Sequence, residues 1–137
     1  MKSEYHVFRL LPGEDIKKGI LEYCQENGIK AGAIVTVVGS LQQAFIRMAD
    51  SVTIEEYHED TEIVSFTGTI SENGGHFHIS IADENGKVFG GHVMEGCLVR
   101  TTAERVLADL SKHWKMIREY DENTGYNELV AQHINVL

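Results

Sequence analysis

The sequence predicts an α+β domain: a mostly antiparallel or mixed β-sheet with one main helix near its start. Short β-branched and apolar runs recur along most of the chain, bounded by Gly, Asn and Asp. A single clear stretch, Ile16, Ile20, Tyr23 and Cys24, repeats at helical spacing. One proline in 137 residues fits strands that lie mostly inside a sheet, where a missing N–H breaks the ladder. That length sets the expectation of one domain over residues 1–137 with a single core.

Taken in order, Tyr5 to Leu10 alternates loosely and reads as a first strand. Pro12-Gly13 stops it. Glu14 and Asp15 favour the positive end of a following helix, which runs through Asn27 to a C-terminal cap at Gly28. Ala33 to Val38 is a short β-branched run broken by Gly39-Ser40. Leu41 to Met48 and Val52 to Tyr57 read as further strands, as does Ile63 to Ile70 after the acidic turn Glu59-Asp60. A hairpin follows at residues 74–93. Thr101-Thr102-Ala103-Glu104 fits either a capping box opening a helix or the middle of a strand from Leu98 to Leu107.

Composition narrows the function classes. Apolar content of 42% and charged content of 24% suit a folded soluble protein. No apolar run reaches bilayer-crossing length, and the opening MKSEYHVFRL lacks a secretory apolar core. Cys24 and Cys97 are too few for a disulfide framework and suit a reduced, cytoplasmic protein. The net charge is −9, from twelve Lys and Arg against twenty-one Asp and Glu. Duplex DNA is gripped chiefly by clustered cations, so this balance disfavours direct contact. The one visible cluster, Lys112, Lys115 and Arg118 around Trp114, reads as a solvated stretch with one buried Trp rather than a nucleic-acid patch.

Three histidines fall on the hairpin "GGHFHISIADENGKVFGGHV". Alternate strand residues face one way, so His76 and His78 share a face. A type I turn at Glu84-Asn85 with Gly86 in the left-handed position sets Asp83 opposite Lys87 and His78 opposite His92. Opposed Cβ atoms are then about 4.5–5.5 Å apart, and three imidazoles converge as ligands for a divalent ion such as zinc. A two-residue Asn-Gly turn instead sets His78 against Val93 and turns His92 away. Gly90 and Gly91 beside His92 allow a ligand or another backbone to come close. Glu95 is a candidate general acid or base, although strict alternation faces it away from His92 unless a bulge follows the glycines. His6, His58, His113 and His133 are scattered, and no role is assigned to them.

Phe8-Arg9-Leu10-Leu11-Pro12-Gly13-Glu14-Asp15, Gly39-Ser40-Leu41, Glu62 to Gly68 ("EIVSFTG"), His76 through "GGHVMEGCLVRTTAE", and the closing "DENTGYNEL" resemble the Plants and Prokaryotes Conserved domain, abbreviated PPC or PCC. The likeness spans nearly the whole chain in order. It implies a homotrimer and favours a strand over a helix for Leu98 to Leu107. In plants this domain is fused to AT-hooks that bind the minor groove of AT-rich DNA, and prokaryotic members carry a DNA-binding label. The sequence here contains no Arg-Gly-Arg-Pro hook. The prokaryotic form is also similar in fold to acetolactate decarboxylase, which holds zinc through three histidines. His76, His78 and His92 match that arrangement.

Two functions are therefore expected as alternatives. One is a homotrimeric metal protein, with zinc as the expected ion, acting on a small acidic or carbonyl compound, with Arg9 or Arg100 holding a carboxylate and Ser40 donating a hydrogen bond. The other is a DNA-binding or regulatory module acting through the trimer or a partner. Whether the protein is an enzyme stays open at this level.

Overall fold

The computed structural model describes residues 4–135. The element order is β1 (Tyr5–Leu10), α1 (Ile16–Glu26), β2 (Gly32–Arg47), β3 (Ile54–Tyr57), β4 (Thr61–Ser71), β5 (Gly74–Ala82), β6 (Val88–Val93), β7 (Leu98–Asp109), β8 (Trp114–Asp121) and β9 (Tyr126–His133). Every strand pairing is antiparallel, so the sheet is not mixed. The main sheet runs β1-β7-β2-β4-β5-β6, with β3 paired to β2, and β8 and β9 form a separate two-stranded sheet.

The helix starts where the sequence places it. Asp15 is the N-cap, and its carboxylate accepts the Lys18 backbone N–H at 3.0 Å. Ile16, Ile20 and Cys24 form its buried stripe. They pack on the inner sheet face, against Leu10, Ile70, Phe77, Ile79, Ile81, Val99, Ala103 and Leu107. This face also buries Arg105, whose guanidinium lies 3.9 Å from the Phe8 ring centre and has no protein hydrogen-bond partner.

Two expected strands, Ala33 to Val38 and Leu41 to Met48, are one continuous strand. Gly39 and Ser40 do not end β2; its register against β7 shifts between Gly39 and Leu41, and again nearby, so the strand bends and carries on. The bend brings the far end of β2 back to β6, pairing Ile46 with Val93 and Arg47 with His92. Strands β2, β4, β5 and β6 thus close on themselves. The stretch expected over Val52 to Tyr57 is shorter, and Leu98 to Asp109 is a strand, not a helix.

Trp114 corrects a further expectation. It is 40% exposed rather than buried, and its ring meets His133 edge-on at 5.2 Å. The hairpin β8–β9 docks on the β4–β5 turn through reciprocal hydrogen bonds. The Asn73 amide donates to the Arg118 carbonyl at 2.9 Å, and the Arg118 N–H donates back to Asn73 Oδ1 at 2.7 Å.

Candidate metal centre

The hairpin turn sets the site. Gly86 takes φ +79°, and its N–H donates to the Asp83 carbonyl at 3.0 Å. The Asp83 carboxylate accepts the N–H groups of Asn85 and Lys87, each at 2.9 Å. A three-residue loop results, and its register pairs His78 with His92. The two-residue alternative is not adopted.

Directly opposed residues point to the same side of a sheet. The pairings Arg47–His92, His92–His78 and His78–Thr67 therefore lay one row across β2, β6, β5 and β4. His76 stands opposite Thr69 in the next row. All lie on the outer face, away from α1. Gly90 and Gly91 permit the crowding: a Cβ on Gly91 would meet the Arg47 carbonyl at 2.6 Å, and one on Gly90 would clash with the Ile79 carbonyl. Both neighbouring backbones close in on this glycine pair.

The three rings sit 4.9 to 5.6 Å apart, and one nitrogen from each lies within 4.8 Å of the others. Among the described residues this is the one group of three or more His, Cys, Asp or Glu whose donor atoms converge in this way. Burial, reinforced by Arg47, His76 and His78, pushes the His92 pKa down to about 4. Burial, then His78 and Arg118, lowers that of His76. Both rings are thus held as neutral imidazoles, the form that binds a metal. Nitrogens at about 2.0–2.1 Å from one tetrahedral ion stand about 3.3–3.4 Å apart, so small side-chain rotations bring the trio into range. Three imidazole nitrogen donors with an open fourth position fit zinc or a similar divalent ion.

A cavity of about 390 Å³ opens onto all three rings and is also lined by Arg47, Ser65 and Thr67. A second, of about 360 Å³, lies between His76, His92 and the β8–β9 hairpin. Arg47, Arg118, Tyr126 and Glu128 line it.

The other candidates sit elsewhere. Glu95 lies in the turn after β6, largely exposed, with the Lys18 ammonium 3.6 Å from its carboxylate. Arg9 donates to Thr102 Oγ1 at 2.9 Å and to the Thr101 carbonyl at 3.2 Å. Buried Ser40 bonds Thr101 Oγ1 at 2.8 Å, and Arg100 pairs with Asp60 at 3.4 Å. None of the four lines either histidine cavity.

Sequence reasoning passed over Arg47, Arg118, Tyr126 and Glu128. Tyr126 and Glu128 lie inside the closing stretch "DENTGYNEL", and Arg118 stood in the basic cluster around Trp114, so a signal existed for three of the four.

Comparison with known proteins places this geometry. A model of the Plants and Prokaryotes Conserved (PCC) domain matches residues 2–111. The bifunctional protein GlmU of Synechococcus sp. (strain JA-3-3Ab) is 41% identical over 121 residues, covering 88% of this chain and 19% of that protein. The chain thus spans about a fifth of the length of that curated relative.

Among solved structures, a hypothetical protein from Salmonella superposes with a TM-score of 0.89 at 32% identity, covering 94% of this chain and 93% of that one. The metal-containing protein AF0104 from Archaeoglobus fulgidus does so at 0.76 and 26% identity, covering 93% and 94%. A Bacteroides thetaiotaomicron protein provisionally named DNA-binding matches at 0.84 and 22% identity, covering 95% and 94%; at that identity the likeness shows the fold alone.

Proposed function

The chain belongs to the Plants and Prokaryotes Conserved domain family, and from that premise we propose that it is a homotrimeric metal protein. In this reading His76, His78 and His92 hold one divalent ion, with zinc the best match to the donor set, and the site acts on a small acidic or carbonyl compound. The observation that carries it is the convergence of three imidazoles on an open sheet face beside a cavity. The similar structure from Archaeoglobus, named as metal-containing, supports it. When bound, such an ion polarises a ligand oxygen or lowers the pKa of a bound water. The chain's own part is to orient the ligand: the Ser65 and Thr67 hydroxyls line the same cavity and can hydrogen-bond it.

Assembly draws support from the outer face. Val7, Val35, Val38 and Val64 are each more than half exposed. The register sets Val7 and Val38 on the side that carries the histidines. Covering these valines with neighbouring copies removes apolar surface from water. Glu95, Arg9 and Arg100 then reach a ligand only across a subunit boundary, and Ser40 serves that face through its hydrogen bond to Thr101. The whole chain, hairpin β8–β9 included, is taken as one functional unit. Cys24 and Cys97, both unpaired and buried, suit a reducing compartment such as the cytoplasm. No helix among the described residues is long and apolar enough to cross a membrane.

Elemental analysis of purified protein tests the reading. About one divalent ion per chain is expected, and His76→Ala or His92→Ala should abolish it while circular dichroism stays unchanged. Metal-free protein of normal stability contradicts it.

A DNA-contacting regulatory module, the label that prokaryotic members of the family carry, is the second reading. The net charge of −9 opposes its direct form. Gel-shift titration at low and moderate salt separates the two. Steep salt dependence supports DNA contact, and no shift at low salt removes it.

A further inference from the structure

We infer that Arg47 and Arg118 form an oxyanion clamp beside the three histidines, so that the site takes a small ligand bearing a carboxylate or phosphate group. The identity of the adjoining ion rests on the reading above; the clamp itself rests on the two arginines.

Their placement follows from register. Arg47 stands opposite His92 on the same face. Arg118 reaches over from β8 and donates to Thr69 Oγ1 at 2.9 Å, and Thr69 stands opposite His76. The two cations therefore approach the trio through different histidines, one along the sheet and one from the hairpin.

Their donors are left over. Among the described residues the Arg47 side chain makes no hydrogen bond and no ion pair, and its guanidinium lies 5.8 Å from the Tyr126 ring centre. Its Nε is shielded from solvent without a partner, as is that of Arg118. By contrast Arg9 and Arg100 have partners at hand. Guanidinium N–H groups withdrawn from water without an acceptor are costly, and an oxyanion supplied from outside removes the cost.

The space and the field agree with that. Both arginines line the same cavity of about 360 Å³, together with His76 and His92. Glu128 is its one carboxylate, so two guanidiniums outweigh it. On a chain of net charge −9 this is a local reversal of sign, which favours an anion here and little elsewhere. The planar guanidinium fork matches carboxylate and phosphate oxygens in pairs, which a lysine does not.

Calorimetric titration of zinc-loaded and metal-free protein with malonate, and separately with inorganic phosphate, tests the clamp at low salt. Wild-type protein should bind at least one of the two, and the tighter names the ligand class. Arg47→Met should weaken that binding about tenfold or more. Arg47→Lys, which keeps the charge and loses the fork, should fall between. Arg118→Met should weaken it too, whereas Lys87→Met, on the exposed hairpin turn, should leave it unchanged. Zinc content is measured in every sample, so the two ideas fail separately. A wild type without zinc removes the metal reading and leaves the metal-free titration to decide the clamp. Absence of anion binding to wild-type protein, or affinity unchanged in Arg47→Met, overturns the clamp whatever the zinc content.

Discussion

Single residues decide this site, because each histidine is aimed by a neighbour of another kind. Gly86 and Asp83 fix the turn, and the turn fixes which way His92 points. The sequence narrowed this to two turns, since a short turn obeys local chemistry, and Gly86 in the left-handed position selects between them. Arg47 was not legible. Its partner is set by a bend in β2 that brings distant strands together, and no local pattern records it. At the same scale lie the two thiols. Burial pushes both Cys24 and Cys97 up to about 11, against an unfolded value near 9. The folded chain therefore keeps its thiol protons longer than the unfolded chain does. Stability from this source is complete below about pH 9 and is lost as pH rises toward 11. Urea unfolding at pH 8 and pH 10.5 should show that loss, and Cys24→Ala should reduce it. A thiol reagent at pH 8 should label neither cysteine until urea unfolds the chain.

Among the elements, the inner sheet face and α1 were readable because burial imposes periodicity, as in Ile16, Ile20 and Cys24. The β8–β9 hairpin was harder. Every residue of β9 is exposed or only half-buried, so no buried alternation marks it. What holds it is polar and long-range: the Asn73–Arg118 pair and the Glu72 N–H donating to the Met116 carbonyl at 2.8 Å. Asn73→Ala removes two hydrogen bonds, a loss of roughly 1–3 kcal/mol confined to this element. Amides of residues 114–133 should then exchange faster, with α1 and β5 still protected. Uniform loss of protection would show that the hairpin belongs to the cooperative core. For the closure of β2 on β6, Gly91→Ala should cost about 1–3 kcal/mol, because the new methyl meets a backbone carbonyl. Unfolding midpoints in urea measure it.

At the level of the whole molecule, the two sheet faces divide the labour. One is sealed by α1 and supplies cohesion; the other carries the histidines, both arginines of the clamp and a set of exposed valines. The family likeness gave this architecture in outline, and the closing segment it included turned out to flank the site. The proposed assembly belongs to the second face. Val38→Lys, at a position already 56% exposed, should leave the monomer's fold intact and shift the mass seen by light scattering from three chains toward one. A wild type that runs as one chain would contradict the assembly while leaving the site untouched.

The ion is the central claim, and a crystal of zinc-loaded protein measured on both sides of the zinc absorption edge tests it most directly. The account expects one anomalous peak per chain, within about 2.0–2.1 Å of a nitrogen from each of His76, His78 and His92. No peak at those rings, or a peak bound by other residues, would contradict it.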